Sequence, residues 1–204
     1  MIIAAILLGY LFGSIPFALV IGKVFYGKDI RQFGSGNLGG TNAGRVLGAP
    51  AGIAVSILDG LKGFLAISLT VLLLPGDVNA AVFTGFAAAI GHCYPLFANF
   101  RGGKAVSTAF GYLLGMAVYF SSPWAVLWTF VLPLSLFFVI LKLTKFVSFS
   151  SMIAVSVAAS LMFIVQDRLI VSLFAAAIAL LVIYRHRANI KRLLAGTESK
   201  VKWL

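Results

Sequence analysis

"PAGIAVSILDGLKGFLAISLTVLLL", residues 50–74, is the stretch on which the fold turns. It follows "GSGNLGGTNAGRVLG", residues 34–48, whose first six residues satisfy the dinucleotide pattern G-x-G-x-x-G, with Asp59 standing twenty residues after Gly39 where a ribose-binding acid is expected. A nucleotide fold would need a strand before that loop and a soluble helix after it. Instead, residues 23–33 form a basic juxtamembrane linker, and residues 50–74 are an apolar run long enough to cross a bilayer. The segment around Gly103-Lys104 also fails as a phosphate loop of the Walker type, because Ala98 occupies the first glycine position and Ala105 the place of the Ser or Thr.

Working outward, seven apolar stretches can be marked at about 2–22, 50–74, 79–98, 105–121, 123–141, 147–165 and 168–184. With 61% hydrophobic and 10% charged residues in a chain of 204, and a mean hydropathy of +1.07, a soluble globule is excluded. The fold expected is all-α: one polytopic membrane domain over 1–204 with seven transmembrane helices. Its first stretch lacks a basic n-region and is expected to stay as a helix. Of sixteen basic residues, fourteen fall on one side: Lys23, Lys28, Arg31, Arg45, Arg101, Lys104, Lys142, Lys145, Arg185, Arg187, Lys191, Arg192, Lys200 and Lys202. The positive-inside rule then puts the C-terminus in the cytoplasm and the N-terminus outside. The net charge of +11 is accounted for by this topology and by attraction to anionic membrane lipid, so no nucleic-acid partner is called for, and no obligatory protein partner either. Cys93 is the single cysteine, which excludes an intrachain disulfide.

Three polar constellations share the basic face. In residues 34–48 the glycines let consecutive N–H groups approach one anion. Ser35, Asn37, Thr41 and Asn42 add neutral donors there, and Arg45 a guanidinium fork. In "GHCYPLFANFRGGKAVST", residues 91–108, a span ends, Arg101-Gly102-Gly103-Lys104 forms a short loop and the next span begins; backbone N–H groups, the helix dipole and Lys104 all favour an anion. In "RHRANIKRLLAGTESK", residues 185–200, Lys191 and Arg192 read as anchors to anionic lipid, whereas Glu198, the only glutamate, can fold back onto the loops and position an arginine. Within the membrane, Asp59 and Lys62 stand at i, i+3 and are expected to neutralise each other. His92, near the end of the third stretch, is a candidate general base, or else a hydrogen-bonding support for the loops. No residue pattern for covalent or metal catalysis is visible, and no cofactor is expected.

Taken together, "GSIPF" at 13–17, the 34–48 and 91–111 segments, "KFVSFSS" at 145–151 and "RHRANIKRLLAGTESK" resemble the bacterial acylphosphate-dependent glycerol-3-phosphate acyltransferases over nearly the whole chain. Gly39-Gly40-Thr41-Asn42 stands where family members often have "GATN", and Arg101 where lysine is common. The resemblance implies a seven-span enzyme of the bacterial inner membrane, its site facing the cytoplasm. Its reaction would move a fatty acyl group from acyl phosphate to the 1-hydroxyl of glycerol 3-phosphate, giving lysophosphatidic acid and inorganic phosphate. By the same resemblance Ser35, Arg45, Lys104 and His92 are the candidate catalytic residues. Gly36, Asn37, Thr41, Asn42, Arg101, Gly102, Gly103, Ser148, His186, Asn189 and Glu198 are the candidate substrate-binding residues. The rival class is a transporter of a small phosphorylated solute, which would need polar residues gathered at the bilayer midplane. Here the polar motifs lie on one face, with Asp59 and Lys62 the clear charges inside a span.

Overall fold

The first apolar stretch does not form one helix. In the computed structural model, which describes residues 1–201, α1 (Ile2–Gly13) and α2 (Phe17–Tyr26) meet at a 40° bend; Lys202, counted above among the basic residues, lies outside the described part. Pro16 has no N–H with which to continue the ladder. Ser14 Oγ turns back to donate to Tyr10 O at 2.8 Å. After a 3₁₀ turn at Ile30–Gln32 comes α3 (Gly40–Leu47), so that half of the segment read as a loop is helical.

The rest follows the apolar pattern. The chain continues through α4 (Ala49–Leu73), α5 (Val78–Cys93) and α6 (Val106–Phe120). It then runs through α7 (Leu132–Thr144), α8 (Val147–Val165), α9 (Leu169–Arg185) and α10 (Arg187–Leu194). Asp77 caps α5, its carboxylate accepting from Ala80 N at 2.9 Å. A π-helical turn, Leu127–Val131, leads into α7 just before Pro133, whose missing N–H disrupts the regular ladder there.

The described residues contain no strand. Four helical segments are long and apolar enough to cross a membrane, and six if the bent pairs α1/α2 and α9/α10 each count as one. The remaining stretch is α6, a shorter apolar helix of 15 residues. The protein is therefore an all-helical, multi-spanning membrane protein. The difference from seven uniform spans comes from the break at Pro16, from the bend between α9 and α10 at His186, and from the short inner helix.

Around α6 the core is built on Tyr112, Met116 and Leu113, packed with Ile67 of α4, Val82 of α5, Met162 of α8 and Ile178 of α9, all essentially sealed. Tyr112 OH reaches across to donate to Val171 O at 3.3 Å. Helices α4 and α6 touch backbone to backbone. A Cβ placed on Gly111 would lie 1.9 Å from Gly60 O, and one on Gly63 would lie 2.3 Å from Thr108 O. Small residues let membrane helices gain dispersion contacts that lipid would otherwise supply.

Gly111→Ala is therefore expected to force α4 and α6 apart and cost about 1–3 kcal/mol as an overpacked contact. Gly60→Ala, whose Cβ would sit at an ordinary 3.4 Å from Ser107 O, should be nearly silent. Thermal melts of the two variants in one detergent check this; equal melting temperatures would contradict the packing described.

Candidate functional site

Three segments distant in sequence meet at one end of the bundle. The first is the turn at residues 33–39 with α3. Gly34 and Gly36 take positive φ there, and Asn42, itself sealed, ties the turn together. Asn42 Oδ1 accepts from Ser35 N at 2.9 Å, while its Nδ2 donates to Phe33 O at 3.2 Å and Ile30 O at 3.4 Å. Both ends of that amide are thus engaged with neighbouring backbone, and Asn42 shapes the turn. Ser35, Thr41 and Arg45 remain on the surface, with Gly36 and Asn37 half-buried. Helix geometry leaves the first-turn N–H groups of α3 without intrahelical partners.

The second segment is the return from α5 to α6. Gly102 N donates to Cys93 O at 3.2 Å and Gly103 N to His92 O at 3.0 Å, so these two amides satisfy the carbonyls at the end of α5 instead of facing an anion. The two glycines are required for closeness: a Cβ on Gly103 would lie 2.0 Å from His92 Nε2 and 2.8 Å from Leu38 O, which also brings the first segment alongside. Lys104 follows, half-buried, and donates to Asn189 Oδ1. Arg101 is exposed; its backbone N donates to Ala98 O at 3.1 Å, and its side chain forms no hydrogen bond or ion pair among the described residues.

The third segment is the end of α9, α10 and the tail that follows. Glu198 folds back as expected. Its Oε1 accepts from Ser148 Oγ at 2.7 Å and Asn189 Nδ2 at 2.6 Å, and its Oε2 from Arg192 Nε at 2.7 Å. Arg192, read from sequence as a lipid anchor, is thus the arginine that Glu198 holds. The tail is pinned further by Val201 N donating to Lys145 O at 3.0 Å and by Arg45 Nη2 donating to Ser199 O at 3.4 Å.

Electrostatics follow from this crowding. Burial, reinforced by Arg192, Arg185 and Arg45 and opposed by Glu198, pulls Lys104 down to about 8. Burial likewise brings His186 down to about 4, with the Lys104 charge adding to it; the ring is therefore neutral near pH 7, and Nδ1 donates to Val182 O at 2.8 Å. Burial alone would raise Glu198, but hydrogen bonds from Asn189, Ser148 and Arg192 hold it below the usual carboxylate range. The result is a basin in which several fixed cations share one carboxylate, an arrangement that has capacity for a further anion.

His92 lies below this basin. It is buried, with Nδ1 3.1 Å from Lys62 Nζ and 3.6 Å from Asp59 Oδ1, and with Nε2 against Gly103. Asp59 and Lys62 form the expected pair at 2.9 Å. His92 stands between that pair and the Gly102-Gly103 turn and joins the two. No group of three His, Cys, Asp or Glu side chains suited to a metal is found among the described residues. Sequence reasoning left Arg185 undecided between lipid anchor and site residue; its Nε donates to Gly103 O and its Nη2 to Gly102 O, both at 3.1 Å. Its position beside His186 and Asn189 was the available signal.

Comparison with known proteins follows the same lines. The family model described as glycerol-3-phosphate acyltransferase matches residues 3–196. A glycerol-3-phosphate acyltransferase of Listeria monocytogenes serovar 1/2a is 49% identical over 199 residues, covering 97% of this chain and 96% of that protein. One from Geobacillus kaustophilus is 47% identical, with coverages of 97% and 95%. The crystal structure of PlsY, an integral membrane glycerol 3-phosphate acyltransferase in its glycerol 3-phosphate form, superposes with a TM-score of 0.87 at 36% identity, covering 98% of this chain and 95% of that one. Its lysophosphatidic acid form gives a TM-score of 0.85 with coverages of 98% and 94%. With its three motifs folded into one cationic basin at the end of a helical membrane bundle, and with relatives matched over almost its full length, the chain belongs to the glycerol-3-phosphate acyltransferase family.

Proposed function

We propose that the protein transfers a fatty acyl group from acyl phosphate to the 1-hydroxyl of glycerol 3-phosphate, at the cytoplasmic face of the bacterial inner membrane. The observation that carries this reading is the half-buried Lys104 ammonium, set with Arg45 and Arg192 around the single carboxylate of Glu198. Both substrates bring a phosphate, and the basin has more cationic than anionic groups to meet them. The glycerol 3-phosphate and lysophosphatidic acid forms of PlsY support the acceptor and the product. The concentration of basic residues on the same side supports a cytoplasmic site.

An acyl phosphate is a mixed anhydride and is already activated. The 1-hydroxyl oxygen attacks the acyl carbonyl carbon, the bond between that carbon and the bridging phosphate oxygen breaks, and the hydroxyl proton passes to the departing phosphate. Protein groups then act by holding the reactants together and by balancing charge on the leaving phosphate. Lys104 and Arg45 supply the charge, with Ser35 and the α3 N–H groups as neutral donors nearby. Ser148, His186, Asn189 and Glu198 orient the acceptor, the neutral imidazole offering Nε2 as an acceptor while Nδ1 is occupied.

Purified protein given palmitoyl phosphate and glycerol 3-phosphate is expected to release inorganic phosphate in step with lysophosphatidic acid, and to do so in EDTA. Comparable turnover with acyl-CoA, or activity that returns only with magnesium, would overturn the donor or the metal-free mechanism respectively.

Lys104→Ala should lower kcat by about 10²- to 10³-fold, the usual cost of removing one preorganised charge-stabilising donor. Lys23→Ala, which loses only an exposed pairing with Asp29 at 3.7 Å, should change kcat little. A Lys104→Ala enzyme keeping more than half its turnover would withdraw the role given to Lys104.

Lys104 also sets a pH dependence. Its depressed value means that the substrate-free enzyme carries the ammonium below about pH 8 and loses it progressively above. kcat/KM for glycerol 3-phosphate should therefore fall as pH rises through about 8. The basic limb of kcat should lie higher, because bound phosphate favours the charged form. A flat kcat/KM profile between pH 7 and about 9 would contradict this assignment.

A further inference from the structure

We propose that Arg185 is a positioning residue for the reaction, holding the Gly102-Gly103 backbone in the orientation that delivers the Lys104 ammonium to substrate phosphate. The inference rests on the role given to Lys104 above. Each backbone polar group of the dipeptide is engaged. Its two N–H groups donate to Cys93 O and His92 O at 3.2 and 3.0 Å, and its two carbonyls accept from Arg185 Nη2 and Nε, both at 3.1 Å. The end of α5 thus grips one side of the turn and a single guanidinium grips the other.

A planar fork holds two successive carbonyls in one fixed geometry, whereas a lysine offers a point charge on a flexible stem. The guanidinium is itself located by the Tyr94 ring, with Cζ 5.0 Å from the ring centroid. Tyr94 is in turn held through its carbonyl, which accepts from Tyr10 OH at 2.9 Å.

Lys104 is the next residue after the gripped dipeptide, and Ala105, at φ 57°, then turns the chain into α6. One turn beyond Arg185 stands Asn189, whose Oδ1 accepts from Lys104 Nζ. Arg185 therefore fixes the backbone before Lys104, and Asn189 fixes its ammonium head. With Nε and one Nη committed to carbonyls, Arg185 acts through Lys104.

The test compares wild type, Lys104→Ala, Arg185→Lys and the double variant in one detergent, after matched thermal melts, with palmitoyl phosphate and glycerol 3-phosphate. Arg185→Lys keeps the charge and loses the fork, so kcat should fall by about 10²-fold, the scale of loss from an ångström of misplacement. KM for glycerol 3-phosphate should move far less. The double variant should be no slower than Lys104→Ala, since a residue that acts through another adds nothing once that other is gone. Losses that multiply in the double variant, or an Arg185→Lys enzyme with more than half the wild-type turnover, would overturn the proposal. A silent Lys104→Ala would instead bring down the reading of Lys104, and this proposal with it. Should Arg185→Lys melt early, Arg185→Ala assayed with added guanidinium ion replaces it, and recovery of kcat supports the clamp. Absence of recovery, or failure of both variants to fold, would assign Arg185 to the fold and overturn the positioning role.

Discussion

A lysine ammonium inside a helical bundle has three hydrogens to place, and Lys62 finds four partners for them. Gly13 O and Ile15 O lie on the broken turn between α1 and α2, Asp59 Oδ1 one turn back on its own helix, and His92 Nδ1 on α5, all between 2.9 and 3.1 Å. Non-helical backbone at membrane depth is tolerated only where protein groups satisfy it. Lys62 meets that requirement at the Pro16 break, and Asp59 neutralises the charge this introduces. Removing one partner of such a buried pair leaves an uncompensated charge, with a typical cost of about 3–5 kcal/mol. The pair and the break therefore depend on one another. His92 carries the constraint upward: its ring contacts the pair on one side and Gly103 on the other, so the site turn rests on the buried cluster.

Above that support the protein solves an electrostatic problem. Under the reaction proposed above, cations must be close enough to hold two phosphates, yet must not repel the basin open before substrate arrives. Glu198 provides the balance. It accepts from Arg192 and draws Asn189 and Ser148 into place, and Asn189 in turn takes the Lys104 ammonium. Arg45 is linked to the same tail through Ser199 O. The basin is thus organised through hydrogen bonds to a single carboxylate, while burial keeps Lys104 near the edge of ionisation, where a bound phosphate has the greatest effect on its charge.

Much of this was legible in the chain itself. Apolar runs of span length pointed to a helical membrane protein, and the three glycine- and cation-bearing segments pointed to residues that the fold brings together at one end of the bundle. They did so because lipid imposes length and polarity locally, residue by residue. The Asp59–Lys62 pair was also readable, because i, i+3 neighbours on a helix meet whatever the tertiary packing.

Tertiary structure alone decided the roles of individual polar groups. Asn42, Gly102 and Gly103 carry donors that sequence assigns to substrate, yet each is spent on neighbouring backbone. His92 has the chemistry of a base and the position of a strut, and Arg192 that of a lipid anchor although it pairs with Glu198. Arg185 differs from its basic neighbours only in what its fork can reach, two carbonyls more than eighty positions earlier in the chain. The sequence by itself determined which kinds of group are present, on which face, and in how apolar a setting, since these follow from composition and local periodicity. Which of those groups are left free to meet a ligand depends on hydrogen-bond partners brought in from distant segments, and only the folded chain supplies them.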